Sequence, residues 1–206
     1  MDCSVIEVSR ALGGEGEEIA NIVAKELGFR YVDNEIIDKA AAAVGVSPET
    51  VSQVERTDPL IVRIFAAMAA SSLDSVVVDS DLVTLPVYTH NYQVVIEHII
   101  RETATEGRAV IVAHGASIPL AGMSGLLRVF ITASPSVRAS RLAQEAKLSE
   151  RDAFKAIQDS DRQRAQFLKR FYDVSRELPT HYDLVVNTDN LSATEAAKLV
   201  LTAARS

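Results

Sequence analysis

Residues 5–28 read VIEVSRALGGEGEEIANIVAKELG, and no other stretch limits the fold of this chain so strongly. Val5 to Val8 is a short apolar run with β-branched residues, the pattern of a buried strand. Gly13, Gly14 and Gly16 follow in a tight loop. From Glu17 the period changes: Ile19, Ile22, Val23 and Leu27 recur at helical spacing, and Gly28 is placed to end the helix. Strand, glycine loop and helix form the plan of a phosphate cradle, in which loop N–H groups and a helix N-terminus converge on an anion. A full phosphate loop reads G-x-x-x-x-G-K-[ST], with Lys on the phosphates and Ser/Thr on Mg²⁺. Here Glu17 and Glu18 follow Gly16, and with Glu15 they place three carboxylates where a phosphate should sit. Two readings stand side by side: a modified cradle, or an acidic first turn that satisfies its own helix dipole, worth about 0.3–1 kcal/mol.

The remainder continues as alternating strands and helices. Phe29–Val32 predicts a second strand, and Glu35–Val44 a helix stopped by Gly45. Ser47 and Pro48 open another helix, broken at Asp58-Pro59. Leu60 to Ser72 is rich in small and apolar residues, with Arg63 its only charge. It reads as a buried helix, packed either in this chain's core or against a second copy in a homodimer. Residues 73–90 carry no clean period, although Val76–Val78 could form a strand. Tyr92–Glu106 predicts a helix, Ala109–Ala113 a central strand, and Leu127–Thr132 another. Ser134-Pro135 starts the next helix. Ser149 and Asp152 fit a capping box that opens a long helix over 149–171, with Phe154, Ile157, Leu168 and Phe171 as its apolar residues. Leu184–Val186 is a last strand, and Ser192 with Glu195 caps the final helix.

This alternation gives an α/β fold with a parallel sheet and right-handed crossovers. Ligands in such sheets sit beyond the carboxyl ends of the strands, here at Ser9 to Gly16, Asp33, His114-Gly115, Ala133-Ser134 and Asn187-Thr188. The 206 residues fit one domain, with a helical insert over about 46–90 and a lid over about 145–175. A net charge of −7 and a pI near 5.1 argue against general nucleic-acid binding. Cys3 is the only cysteine, which leaves no intramolecular disulfide and no cysteine metal cluster. The opening MDCSVIEVSR lacks a signal pattern, and no apolar run reaches the about 20 residues that span a bilayer, so a cytoplasmic location is expected.

Six stretches together resemble the cytidylate kinase-like family of the P-loop nucleoside monophosphate kinases: SRALGGEGEEIA (9–20), LGFRYVDNEIIDKAA (27–41), GRAVIVAHGA (107–116), LRVFITASPSVRASRL (127–142), DSDRQRAQFLKRFY (159–172) and HYDLVVNT (181–188). The resemblance implies a P-loop NTPase-like three-layer fold with a five-stranded parallel sheet, a helical lid, and transfer of the ATP γ-phosphoryl group to a nucleoside monophosphate with Mg²⁺. Members often lack the phosphate-loop Lys. Ser9, Arg10, Gly13, Gly16, Glu18, Ile19 and Ala20 fit the family pattern, and Gly14 completes the loop. The departures are Glu15 for a usual Gly, Glu17 for a basic or polar residue, and Ala113-His114-Gly115-Ala116 for Gly-Arg-Gly-Ala. Glu15, Glu17 and His114 each lower the positive charge around the phosphates.

Phosphoryl transfer is mostly positioning and charge neutralisation, so the arginines matter most. The resemblance places Arg162 and Arg164 in the lid, reaching over the phosphates, where a planar fork suits a bidentate contact. The alternative is a solvated pair with Asp159 or Asp161. Arg138 and Arg141 match family positions on one helix face but could be surface charge. Asp33 matches a residue that contacts the acceptor nucleotide, or caps the helix that follows. His114 donates to a phosphate, replacing a cation only when protonated, or is a structural hydrogen bonder. The remaining histidines show no metal-ligand spacing. The reading is therefore a nucleoside monophosphate kinase acting on cytidylate, with a catalytically degenerate nucleotide-binding module or a homo-oligomeric structural protein as alternatives.

Overall fold

The structure is a computed structural model, and it describes residues 3–33, 35, 36, 38, 39, 85–112 and 115–206. The expected helices within 40–84, the 60–72 segment, the Val76–Val78 strand and His114 lie outside the described residues. The chain divides into two compact parts, residues 1–33 with 100–206 and residues 34–99. In the second part, Glu35 and Lys39 form an i,i+4 ion pair at 3.0 Å.

The described elements run β1 (Val5–Arg10), α1 (Gly16–Leu27), β2 (Arg30–Val32), α2 (Leu85–Glu106), β3 (Ala109–Val112), β4 (Leu126–Thr132), α3 (Pro135–Ala146), α4 (Glu150–Tyr172), β5 (Leu184–Asn187) and α5 (Ala193–Arg205). The strands form one five-stranded sheet in the order β2-β3-β1-β4-β5, with every pairing parallel. β1 is the middle strand. Val5 pairs with Ala109 on one side and Leu126 on the other.

Side chains alternate across a strand, and this decides which face each residue serves. Ile6 and Val8 join Val110, Val112, Val129 and Ile131 in a core closed by Ile19, Ala20 and Val23 of α1 and Ala196, Ala197 and Val200 of α5. Each fully buried aliphatic side chain there contributes about 1.5–3 kcal/mol. The intervening residues of β1, Glu7 and Ser9, are also wholly buried. α3 and α4 form a second, smaller cluster in which Ala139 packs with Ala153 and Ile157.

The ends of the helices follow their sequence signals. Gly28 takes φ 61° and closes α1 through its N–H. Ser149 accepts a hydrogen bond from the Asp152 N–H at 3.1 Å, while its own hydroxyl donates to the Asp152 carboxylate at 2.6 Å. Ser192 and Glu195 form a reciprocal capping box. Two expectations change. α2 begins at Leu85 rather than Tyr92, because Pro86 in a first turn has no backbone donor to lose and starts a helix instead of breaking one. Phe154 is 41% exposed, whereas Ile157, Leu168 and Phe171 are buried as their spacing requires.

Candidate functional site

The glycine loop connects the carboxyl end of β1 to the first turn of α1 and is held from below. Gly13 has φ 75°, and a Cβ there would lie 2.6 Å from the Arg138 carbonyl oxygen. The Gly14 N–H donates to Ala11 O at 2.9 Å, and a Cβ on Gly16 would lie 2.5 Å from Arg10 Cβ. The glycines therefore let the loop settle on its own strand and on α3. Glu15 stands at the N-cap of α1 with φ 65°, and no side chain caps this helix end.

The loop's carboxylates turn toward arginines. Arg10 Nε donates to Glu17 at 2.9 Å, and its terminal nitrogen adds a second bond. Glu15 forms an ion pair with Arg141 Nε at 3.3 Å, and its second oxygen is buried with no hydrogen-bond partner. Arg141 also grips Thr188, through the hydroxyl at 2.9 Å and the carbonyl at 2.7 Å. The Thr188 hydroxyl in turn donates to Gly14 O at 3.1 Å. Glu18 stays exposed in the first turn.

Arg138 is only 4% exposed, so it is no surface charge. Its Nε donates to Ala133 O at 3.0 Å, and its fork binds Asp161 of α4 at 2.9 and 2.7 Å. One turn further along α4, Arg164 donates to both oxygens of Glu177, at 2.9 and 2.6 Å, and to the Tyr182 hydroxyl at 3.1 Å. Its guanidinium lies 5.3 Å from the Phe130 ring centre. Burial works against the Arg164 charge, but the Glu177 fork outweighs it and strengthens its hold on the proton. Burial likewise pushes the Tyr182 phenol up to about 12. A cavity of about 340 Å³ opens here, and its walls include Phe130, Thr132, Arg138, Asp161, Arg164 and Glu177. Arg162, by contrast, is 66% exposed by side chain and pairs with Asp159 at 3.2 Å. The structure thus brings Arg138 and Arg164 to one cavity and Arg141 to the loop, and it sets Arg162 on the surface. Asp33 directly follows β2.

The sequence reading draws no signal from Glu7, Glu177 or Tyr182, whereas Thr188 lies at a strand end where ligands sit. Glu7 had one available, since an acid inside an otherwise apolar strand is out of place. It is wholly buried; Ser9 Oγ donates to one of its oxygens at 2.6 Å, and the other has no partner. Burial pushes its carboxyl up to about 8, so it is protonated at neutral pH.

Among the described residues no group of three or more His, Cys, Asp or Glu could hold a metal ion. A Mg²⁺ that arrives with a triphosphate needs few protein ligands, because phosphates and waters supply most of its oxygens. The unpartnered oxygen of Glu15 is a hard donor of the right kind beside the loop. No helix among the described residues is long and apolar enough to cross a membrane.

Solved structures share this architecture. An uncharacterized protein from Eubacterium ventriosum superimposes with a TM-score of 0.68 at 13% identity over 98% of both chains. Shikimate kinase from Bacteroides thetaiotaomicron gives 0.54 at 13% identity, again over 98% of both chains. A gluconokinase from Sinorhizobium meliloti gives 0.50 at 12% identity, over 99% of this chain and 92% of that one. The fold is therefore that of the P-loop kinases, as the resemblance implied. No curated protein matches the chain by sequence. The sequence pattern of one family, however, runs through residues 5–190, across the glycine loop, all five strands and the helix that carries Arg164. The chain belongs to the cytidylate kinase-like family.

Proposed function

We propose that this protein transfers the γ-phosphoryl group of ATP to a nucleoside monophosphate, with cytidylate as the acceptor. The observation that carries this reading is the state of the loop: the N-terminus of α1 has no side-chain cap, and Glu15 and Glu17 are drawn onto Arg141 and Arg10. A carboxylate turned inward would repel a phosphate by about 4 kcal/mol at 4 Å and an effective dielectric of 20. That is more than a helix terminus returns. With the acids held aside, the backbone of Gly13 and Gly16 is left to meet the donor phosphates, with Gly14 pinned to Ala11 and Thr188 to hold the loop's shape and Ser9 and Glu18 flanking it. Mg²⁺ bound with the ATP would neutralise charge on the phosphates, and Glu15 is the residue of the loop able to help hold it. Arg141, Arg162 and Arg164 supply cations to the transferring group, with Arg138 behind the loop. In this reading Asp33 contacts the acceptor nucleotide and His114 donates to a phosphate.

A second reading, a nucleotide-binding regulatory module without turnover, draws on a different observation. Arg138 and Arg164 each already hold a carboxylate in a two-pronged fork. Neither reaches a phosphate without loosening that grip, and the cost is greater for Arg164, whose partner Glu177 is mostly buried, than for Arg138, whose partner Asp161 is half-exposed. ADP release from Mg-ATP with a panel of monophosphates separates the two readings. Turnover with CMP is the expected outcome. Nucleotide binding by calorimetry without turnover would establish the regulatory module instead, and no heat with any nucleotide would remove both.

A further inference from the structure

Arg138 makes contacts on three other parts of the chain at once. It belongs to α3. Its Nε bonds the Ala133 carbonyl at the end of β4, and one terminal nitrogen lies 3.4 Å from the Leu12 carbonyl in the glycine loop. Both terminal nitrogens grip Asp161 on α4, and its own carbonyl is the surface on which Gly13 rests. The guanidinium is planar and its donors have a fixed spread, so these partners cannot move independently. A shift of Asp161 rotates the fork and releases or strains the hydrogen bond to the loop.

We propose that Arg138 is a positioning residue that couples the shape of the glycine loop to the seating of α4, with Asp161 as its handle. Arg138 acts through the loop backbone, and the loop meets the ligand. The coupling rests on geometry alone. Its use in catalysis rests on the nucleotide reading above: a loop held in register receives the donor phosphates, and α4, which carries Arg164 into the cavity, is thereby seated at the same moment. Asp161 is the better place to interrupt the link, because its side chain is 45% exposed whereas that of Arg138 is 5% exposed.

Amide hydrogen exchange on nucleotide-free protein tests the coupling directly. In Asp161→Asn the fork loses one charged partner, and exchange at Gly14 and through the first turn of α1 should rise about tenfold. Arg138→Lys, which keeps the charge but not the fork, should do the same, and Asp161→Glu should restore protection. Unchanged exchange in the loop while α4 loosens would overturn the proposal and reduce the pair to a tether for α4. A second arm reads function. If the chain turns over Mg-ATP, Asp161→Asn should raise KM for ATP about tenfold and leave KM for the acceptor as it is. A general loss of fold would raise both and would count against the coupling. Should the wild type show no turnover, the exchange arm still decides the coupling, and only the nucleotide reading is lost.

Discussion

Glu7 occupies the middle of the middle strand, where a carboxyl has no water. Its ordinary value of 4.5 rises to about 8 in the fold. Between those two values the folded chain holds a proton that the unfolded chain has released, so raising the pH through this window removes stability. The loss amounts to at most about 1.4 kcal/mol for each pH unit of the window. Glu7→Gln carries no ionisable group there. Its melting temperature should therefore fall less than that of the wild type between pH 5 and 8, and the two curves should approach each other at the acid end. Parallel curves over the whole range would mean that the Glu7 carboxyl is solvated in the native protein. The sequence hid this residue for a simple reason: its apolar neighbours Val5, Ile6 and Val8 outvote one acid in any pattern based on period.

At the scale of elements, the strands and helices around the sheet were legible because each had both a period and a boundary signal. β1, α1 and α5 combine apolar spacing with a glycine loop, Gly28, or the Ser192–Glu195 cap, and the structure keeps those bounds to within a residue or two. α2 was cut short because Pro86 and the polar residues after it masked its first turns. The arginines on α3 and α4 could not be sorted from sequence. Helical spacing places Arg162 and Arg164 two residues apart, on different faces, yet which of those faces meets the core depends on how α4 packs. Arg164 enters the cavity and Arg162 stays with Asp159 on the surface. Replacing Arg162 by Ala should thus change stability by less than about 0.5 kcal/mol, the usual range for an exposed pair. If Arg162 reaches over the phosphates when substrates bind, turnover should fall at least tenfold with stability intact. Unchanged turnover would leave it a solvated pair with Asp159.

On the scale of the whole molecule, the family's fold carries a glycine loop with three acids, Glu15, Glu17 and Glu18. A ligand that binds only the folded form stabilises it by mass action, about 2.7 kcal/mol at a hundredfold excess over Kd. Melting in the presence of Mg-ATP should consequently shift upward with nucleotide concentration, and CMP should add to that shift. Identical melting curves with and without both nucleotides would argue that neither is bound. The order of the strands has a further consequence for how the molecule is formed. β1 holds the centre, but both strands that flank it come much later in the chain, with Val5 meeting Ala109 and Leu126. No local hairpin can satisfy its edges, and the loops that must close first are long. The rate at which this protein reaches its native state is therefore governed by distant pairings, so folding is slow for its size. Until β3 and β4 arrive, the strand that later supports the glycine loop is an unpaired apolar edge, and aggregation competes for it.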